Sequence, residues 1–310
     1  LKDMAVVATQ THLYVIGGRN SEGVSDKIYS AQLSDNGNIS SWETLDLTLP
    51  QPVWGCRAVF VMGNVYLIGG ANVDDVNAVS NKVYRLTVNA SGEIASINEM
   101  ANLPAARNGH AVAVYDSKII VTGGYDASHT AQNTVYEASV NLNGTLANWQ
   151  MQTSLIEPVF DHSAVYTNGV LVLIGGHNGS LPINSCYITD LANTSYEWNA
   201  ADILLPERYT QGTAFAFGNK IFFSGGQSIS EAINNAVRYM PVNTGTQVVA
   251  KSAFVSLPFD IGTPKNLQQL SYSLTYVSST TSYEILYRMA GPDRVFGSWI
   301  SAGSNLPVII

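Results

Sequence analysis

The sequence predicts an all-β protein folded as a β-propeller, and three observations support this prediction. A strand that ends in two glycines recurs five times, as LYVIGG, VYLIGG, IIVTGG, LVLIGG and IFFSGG. The first glycines are Gly17, Gly69, Gly123, Gly175 and Gly225, which gives a repeat of 50 to 54 residues. Each repeat holds four short apolar runs separated by turn residues. Such a meander exposes two apolar faces, and packing several of them around an axis buries both.

Each repeat has the same parts in the same order. A strand of small and branched residues leads through a tight polar turn, such as Gly63-Asn64, into the glycine-tipped strand. A loop then reaches a third strand, which begins with an acid or amide followed by an aromatic, as in Asp26 and Tyr29. A second hairpin leads to the fourth strand, which carries a tryptophan in three repeats, at Trp42, Trp149 and Trp198.

This order of Gly-Gly, tyrosine and tryptophan resembles the kelch repeat, and the resemblance covers residues 1 to about 258. The long second hairpin is similar to that of kelch repeats in large bacterial secreted and cell-surface proteins. The resemblance implies five four-stranded blades, at about residues 1–50, 51–104, 105–158, 159–206 and 207–258. We expect the paired glycines to be structural, because one needs a positive φ and neither leaves room for a Cβ beside the neighbouring blade.

Residues 259–310 break the repeat and contain no Gly-Gly pair. Two interpretations compete for this C-terminal β segment. The spacing from Trp299 to Pro307 equals that from Trp42 to Pro50, which favours a degenerate sixth blade. Too few residues lie between Gly291 and Trp299 for a third strand, which favours the start of a β-sandwich module. We prefer the β-sandwich as a second domain.

Composition excludes some function classes. The net charge of −8 disfavours nucleic acid as a partner, because phosphate binding depends on Lys and Arg. No apolar run of 18 residues predicts a membrane span. The two cysteines, Cys56 and Cys186, fall in different repeats and are predicted to be small buried side chains rather than a disulfide. Because the chain starts at Leu1 without a methionine, we expect it to be part of a longer precursor.

A candidate binding face follows from the strand directions. The loop after each Gly-Gly pair and the loop that joins one repeat to the next emerge at the same end, which we call the long-loop face; binding residues often lie on such loops. Aromatic, basic and polar side chains there would suit the faces and hydroxyls of a carbohydrate. The candidate ligand-binding residues are Arg19, Trp54, Arg107, Tyr125, Asp161, His177, Arg208 and Tyr209.

The kelch resemblance also implies two enzymes to consider, galactose oxidase and a sialic acid epimerase. The copper site of the first needs two Tyr, two His and a Cys cross-linked to a Tyr, whereas the histidines here are scattered over different repeats. The epimerase would need an Arg/Glu pair, for which Glu207-Arg208 is a candidate. We predict no catalytic residue, metal ligand or cofactor, and keep a sugar epimerase or hydrolase as a third alternative.

The sequence therefore predicts a secreted or cell-surface module for binding or adhesion, with a glycan or an extracellular protein as ligand. A structural subunit of a surface or virion assembly, which would involve self-association, is the alternative. We expect no nucleic acid partner and no insertion into a membrane. Five sequons are possible glycosylation sites, at Asn38, Asn89, Asn143, Asn178 and Asn193.

Overall fold

The computed structural model describes residues 1–34, 37–191, 196–201, 204–217, 220–229, 237–241, 253–255, 284–287 and 300–304. In this part of the chain the regular elements are all β-strands, without a helix. Four of the repeats form four-stranded antiparallel sheets whose innermost strands are neighbours in chain order, as the blades of a propeller are. The prediction of an all-β propeller is confirmed.

The four blades share one topology, in which each strand pairs with the next along the chain. Blade 1 contains β1 (Ala5–Ala8), β2 (His12–Ile16), β3 (Arg19–Asn20), β4 (Gly23–Val24), β5 (Ile28–Gln32) and β6 (Glu43–Thr44), of which β3 and β4 form a separate ribbon. Blade 2 contains β7 (Arg57–Val61), β8 (Asn64–Ile68), β9 (Val83–Val88) and β10 (Ile94–Glu99). Blade 3 contains β11 (Ala111–Tyr115), β12 (Lys118–Thr122), β13 (Val135–Ser139) and β14 (Gln150–Gln152). Blade 4 contains β15 (Ser163–Thr167), β16 (Val170–Ile174), β17 (Cys186–Asp190) and β18 (Asn199–Ala200).

A fifth four-stranded sheet follows blade 4. Its strands are β19 (Thr210–Phe217), β20 (Lys220–Gln227), β21 (Val237–Pro241) and β22 (Ala253–Val255). That this fifth sheet is the predicted fifth blade stays a prediction, since most of the surrounding residues lie outside the described ones.

The chain divides into two compact units, Leu1–Leu257 and Pro258–Ile310. In the second unit β23 (Glu284–Tyr287) pairs with β24 (Ile300–Ser304). Most of the segment 259–310 lies outside the described residues, so the choice between a β-sandwich and a sixth blade stays open. The predicted blade boundaries likewise stay a prediction.

The paired glycines allow each blade to meet the next. Both glycines of the third pair have a positive φ, 58° at Gly123 and 91° at Gly124. A Cβ at Gly123 would lie 2.2 Å from the carbonyl oxygen of Val159 in blade 4, and the N–H of Gly124 donates to that same oxygen at 2.8 Å. The glycines are therefore the points where neighbouring backbones touch, and only a residue without a side chain fits there.

Apolar side chains fill the spaces between blades. Tyr14 and Ile16 of blade 1 are buried together with Val65 and Leu67 of blade 2, and the other pairs of neighbouring blades repeat this arrangement. The glycine-tipped strands of blades 2 to 4 carry most of these residues, because side chains on both of their faces are buried, whereas only one face of β2 in blade 1 is.

Polar contacts also link blade 1 to blade 2 and blade 2 to blade 3 at the end opposite the long-loop face. The hydroxyl of Tyr14 donates to the carbonyl of Gly92 in the hairpin of blade 2. The hydroxyl of Tyr66 in blade 2 donates to the carbonyl of Gly144 in the hairpin of blade 3, at 2.8 Å. A hairpin tip of one blade thus packs against the blade before it.

Candidate functional site

The inner strands begin at the long-loop face with five residues at the same position of the repeat. All five have a left-handed backbone, with φ between 51° and 66°: Asp3, Gly55, Gly109, Asp161 and Gln211. Backbone hydrogen bonds join three pairs of neighbours among them. Gly55 N donates to the Asp3 carbonyl at 2.7 Å, Asp161 N to the Gly109 carbonyl at 2.6 Å, and Gln211 N to the Asp161 carbonyl at 2.9 Å. We call these five residues the axial ring.

The loops that follow the glycine pairs are short and closed by backbone pairing. In blades 1 to 4 the first residue of the loop pairs with a residue near its end; these pairs are Arg19 with Val24, Ala71 with Val79, Tyr125 with Ala131, and His177 with Pro182. The same first residue also pairs with the residue just before the axial ring, as Tyr125 does with Asn108. Each loop therefore stands in a defined position on the long-loop face.

Blades 1 and 2 meet at this face through Arg19. Its guanidinium carbon lies 3.8 Å from the ring centroid of Trp54, and its nitrogens bind carboxylate oxygens of Asp3 and Asp74, each at 2.7 Å. Trp54 is 5% exposed and donates its indole N–H to the carbonyl of Val73. The structure thus brings together two of the predicted binding residues, Arg19 and Trp54, and each already has partners within the chain.

Blades 3 and 4 meet through a cluster of rings. Phe160 lies 5.3 Å from Tyr125, 5.6 Å from His129 and 4.9 Å from His177, measured between ring centroids. Tyr125 and Phe160 are 4% and 7% exposed, while His129 is exposed to solvent. Burial raises the pKa of Tyr125 beyond its ordinary range, and the Asp161 carboxylate adds to the shift. Tyr125 therefore remains a neutral phenol.

Asp161 of the axial ring follows Phe160 and places a carboxylate beside this cluster. Asp161 accepts a hydrogen bond from the Gln211 side chain at 3.2 Å, and burial raises its pKa while the positive charge of Arg57 opposes the rise. Arg57 starts the inner strand of blade 2, where the other inner strands carry Ala or Ser or Thr. Arg57 is not among the binding residues predicted from the sequence, although a lone charge in an inner strand is the signal that could have shown it.

Three of the predicted binding residues lie apart from these groups. Arg107 is buried, donates to the carbonyl of Ala106 and to Thr134 Oγ1, and has its pKa lowered by burial. Tyr209 is buried against Phe223 and donates to Glu207. Arg208 is exposed. The Arg107 carbonyl also accepts from Gly70 N–H, which joins blades 2 and 3, and the Tyr209 carbonyl accepts from Gly176 N–H, which joins blade 4 to the segment that leads into the fifth sheet. Ligand binding by the eight predicted residues stays a prediction.

Two histidines are fully enclosed between blades. His162 exchanges a hydrogen bond with Thr122 Oγ1 at 2.9 Å, and burial lowers its pKa to about 3. His110 occupies the same position of the preceding repeat, where Ile68 replaces the threonine, and its ring nitrogens have no hydrogen-bond partner among the described residues. Burial also lowers the pKa of His110 well below its ordinary value.

The described residues contain no group of three or more His, Cys, Asp or Glu side chains that could hold a metal ion. Cys56 and Cys186 are free and buried, and burial raises the pKa of each thiol to about 12. In the same part of the chain no helix is long and apolar enough to cross a membrane. Of the five sequons, Asn38, Asn89 and Asn143 are exposed, Asn178 is half-buried, and Asn193 lies outside the described residues.

Comparison with known proteins agrees with this architecture. A family model for the KLHDC2/KLHL20/DRC7 kelch-repeats domain matches residues 55–246, which is more than half of the chain. This chain belongs to the kelch-repeat family. Kelch propellers mediate protein–protein interactions, so the fold suits a protein-binding or structural role.

The relatives are distant. The chain is 23% identical over 219 residues to Tip elongation aberrant protein 3 of Schizosaccharomyces pombe, a match that covers 61% of this chain and 19% of that protein. It is 24% identical over 234 residues to Beta-scruin of Limulus polyphemus, covering 70% of this chain and 24% of the relative. The chain thus spans at most about a quarter of the length of these curated relatives.

Among solved structures, the one described as the structure of YjhT superimposes with a TM-score of 0.65 at 15% identity. The match covers 82% of this chain and 84% of the other. At this identity the likeness supports the propeller fold and nothing finer. The predicted link to bacterial secreted proteins remains a proposal.

Proposed function

We propose that this chain is a non-enzymatic binding module and that the long-loop face of blades 1 to 4 docks a protein partner. The observation that supports it most is the order of that face. Four consecutive loops are each closed by backbone pairing, and two of the joints beneath them are braced by side chains. A surface that is already ordered loses little conformational entropy on binding.

The loop tips of blades 1 and 2 define the chemistry of the partner. Val73 and Val76 are 52% and 40% exposed at the tip of the blade 2 loop. Between them lie Asp74, which is paired with Arg19, and the exposed carboxylate of Asp75. Glu22 is exposed at the tip of the neighbouring blade 1 loop. Apolar side chains framed by carboxylates suit a protein surface that presents apolar residues beside Lys or Arg.

A protein partner agrees better with the geometry than a glycan does. Sugar binding by stacking needs an open aromatic face, and the Trp54 ring is covered by Arg19. Tyr125 and Phe160 are buried against each other and against the imidazole rings. The carboxylates nearest to Trp54 are already paired with Arg19. The polar and aromatic groups that predicted a glycan therefore stabilise the loops.

We also propose that the parent protein is secreted or displayed at a cell surface. Exposure of the Asn38, Asn89 and Asn143 sequons is compatible with glycan attachment there. Expression through a eukaryotic secretory pathway followed by glycosidase treatment would show whether these sites are used. A protein that stays intact and unglycosylated in that pathway would speak against this part of the proposal.

The docking face can be tested with charge substitutions on opposite ends of the propeller. Val73→Asp and Val76→Asp together place charge on the long-loop face. Leu142→Asp is the matched control, because Leu142 is 95% exposed on a hairpin tip at the other end. We expect proteins captured by the wild type and by the Leu142 variant to be lost by the double variant, and the purified partner to bind it at least about tenfold more weakly.

Two other results would contradict the proposed function. Equal loss of the partner in the double variant and in the Leu142 variant would move the binding surface away from the long-loop face. Glycan binding on an array that survives removal of all protein partners, and that Trp54→Ala abolishes, would restore the carbohydrate interpretation. Circular dichroism of each variant verifies that the propeller is folded.

A further inference from the structure

We propose that Asn178 in the blade 4 loop is a site of spontaneous deamidation assisted by the imidazole of His177. The inference rests on Asn-Gly chemistry: the backbone nitrogen of a glycine that follows asparagine can attack the side-chain amide, since glycine offers no steric hindrance. The chain contains Asn-Gly at 36–37, 108–109, 143–144, 168–169 and 178–179. Among Asn108, Asn143 and Asn178, the pairs differ in the group that accepts the glycine N–H.

The Asn178-Gly179 pair has the nucleophile, the base and the oxyanion donors in contact. The N–H of Gly179 donates to His177 Nδ1 at 3.0 Å. The side-chain Oδ1 of Asn178 accepts from the N–H groups of Ser180 and Leu181 at 3.0 and 3.1 Å. These two donors stabilise negative charge on Oδ1 as a tetrahedral intermediate forms, which is how oxyanion sites accelerate acyl transfer.

The reaction needs only water as a second reactant. His177 Nδ1 takes the proton from Gly179 N, and this nitrogen forms a bond to Asn178 Cγ. The Cγ–Nδ2 bond then breaks, and Nδ2 takes up a proton and leaves as ammonia, which produces a five-membered succinimide. Water opens the succinimide at either carbonyl and yields aspartate or isoaspartate. Proximity supplies much of the rate, because the nucleophile is the next residue in the chain.

Two other Asn-Gly pairs lack the base. At Asn143 the side-chain oxygen is held in a similar turn, by the N–H and the hydroxyl of Thr145, but Gly144 N–H donates to the carbonyl of Asn141 at 2.8 Å. At Asn108 the pair is buried, and Gly109 N–H donates to the Oδ1 of Asn108 itself. Asn143 is therefore a matched reference with similar turn geometry and no imidazole. Asn36 lies outside the described residues.

Deamidation at Asn178 would change the long-loop face. It would place a new carboxylate next to His177 and would remove the Asn178-Gly-Ser sequon. An isoaspartate would also insert an extra backbone carbon into the loop that His177 and Pro182 close. The fraction of molecules with an added negative charge at this position of the proposed binding surface would then increase with the age of the protein.

The test is to incubate the purified protein at neutral pH and to follow deamidation at every Asn-Gly pair by peptide mass spectrometry. We expect Asn178 to react about tenfold or more faster than Asn143, in line with the contribution of a positioned general base. His177→Phe keeps a ring against Phe160 but removes the base, and should bring Asn178 to the rate of Asn143. His129→Phe changes the other imidazole of the ring cluster and should leave Asn178 as fast as in the wild type.

A pH series separates the base from a purely structural effect of His177. Burial lowers the pKa of His177, the Asp161 carboxylate opposes the shift, and His129 adds to it. The ratio of the Asn178 rate to the Asn143 rate should fall as the pH drops through the His177 pKa, because protonated Nδ1 cannot accept a proton. A ratio near one at all pH values, or faster reaction at Asn178 in His177→Phe, would overturn the proposal.

Discussion

The joint between blades 1 and 2 and the joint between blades 3 and 4 fill the same three repeat positions with different chemistry. The positions are the residue after the glycine pair, the residue before the axial ring in the next blade, and the residue after that ring. They hold Arg19, Trp54 and Cys56 in the first joint, and Tyr125, Phe160 and His162 in the other. The first joint is a cation over a ring with two carboxylates, and the other is a cluster of rings above a buried imidazole.

The difference shows that the backbone contact between two blades, which we call the frame of the joint, does not depend on the side chains above it. In both joints the second glycine donates to the carbonyl two positions before the axial ring, at 2.7 Å for Gly18 and Val53 and at 2.8 Å for Gly124 and Val159. The frame is constant, so the side chains are free to differ. Substitution of a frame glycine should therefore destabilise the protein to a similar degree at either joint. A change of pH or salt concentration should affect the two joints differently.

The largest expected effect comes from the frame. Gly17→Ala and Gly123→Ala would place a Cβ 2.4 and 2.2 Å from a carbonyl oxygen, and each should lower the free energy of unfolding by about 3 kcal/mol or more. Gly63→Ala is the control, because Gly63 has a φ of 75° but no atom within 4 Å of its Cβ, and it should cost only about 1–2 kcal/mol. Urea denaturation measures all three, and equal losses would refute the role of the joint.

The two joints should differ in how acid affects their contribution to stability. The pKa of His162 is lowered to about 3, so below pH ~6.5, the ordinary pKa of histidine, the unfolded chain binds a proton that the folded chain does not. The free energy of unfolding should then fall with decreasing pH by up to about 1.4 kcal/mol per unit for this histidine, until the pH reaches the folded pKa. His162→Gln should flatten the slope measured by denaturation between about pH 4.5 and 6.5, on the acid side of the ordinary histidine pKa.

The first joint offers the comparison for this prediction. Cys56 takes the place of His162 there, and the pKa of its thiol is raised to about 12, so it binds no further proton on acidification. Cys56→Ala should thus lower stability by a similar amount at every pH in the series. An unchanged acid slope in His162→Gln would show that His162 is not the source of the acid sensitivity, and His110 would be the next residue to substitute.

The smallest expected effect concerns salt. Arg19→Met removes two partly exposed ion pairs and the contact with Trp54, and should cost about 1 kcal/mol at low ionic strength and less at high ionic strength. Tyr125→Leu removes a neutral ring contact, so its effect should be the same at both salt concentrations. Thermal melts at two ionic strengths measure both variants, and a loss for Arg19→Met that does not change with salt would contradict the ionic description of this joint.

The fold could be predicted from the sequence because the paired glycines report on backbone contacts. Gly123 must be glycine because the carbonyl of Val159 lies so close to it, and the first four Gly-Gly pairs each meet a backbone carbonyl of the following repeat in this way. The four-stranded repeat follows from turn residues and apolar runs, which are local signals. The outcome for the fifth repeat was less complete, since only part of its sheet is described.

The candidate site could be predicted only in part. The sequence placed Arg19, Trp54 and Tyr125 at the long-loop face, but it could not show that they would be covered. The partners of Arg19 are Asp3 and Asp74, which lie 16 and 55 residues away in the chain. Such contacts depend on how one blade is rotated against the next, and no local pattern records that rotation. Arg57 is different, because its lone charge in an inner strand is a local signal that the sequence does contain.

The tyrosine contacts at the opposite end of the propeller bear on how such a chain can change its length. Tyr14 binds the Gly92 carbonyl of the next hairpin, and Tyr66 binds the equivalent carbonyl of Gly144 one blade later. The two tyrosines occupy the same position of their repeats, and so do the two tip glycines. A recombination event that removed blade 2 in register would bring Tyr14 to Gly144 and preserve this contact. A contact repeated in register would thus allow a gene to gain or lose a whole blade while the same two groups still meet.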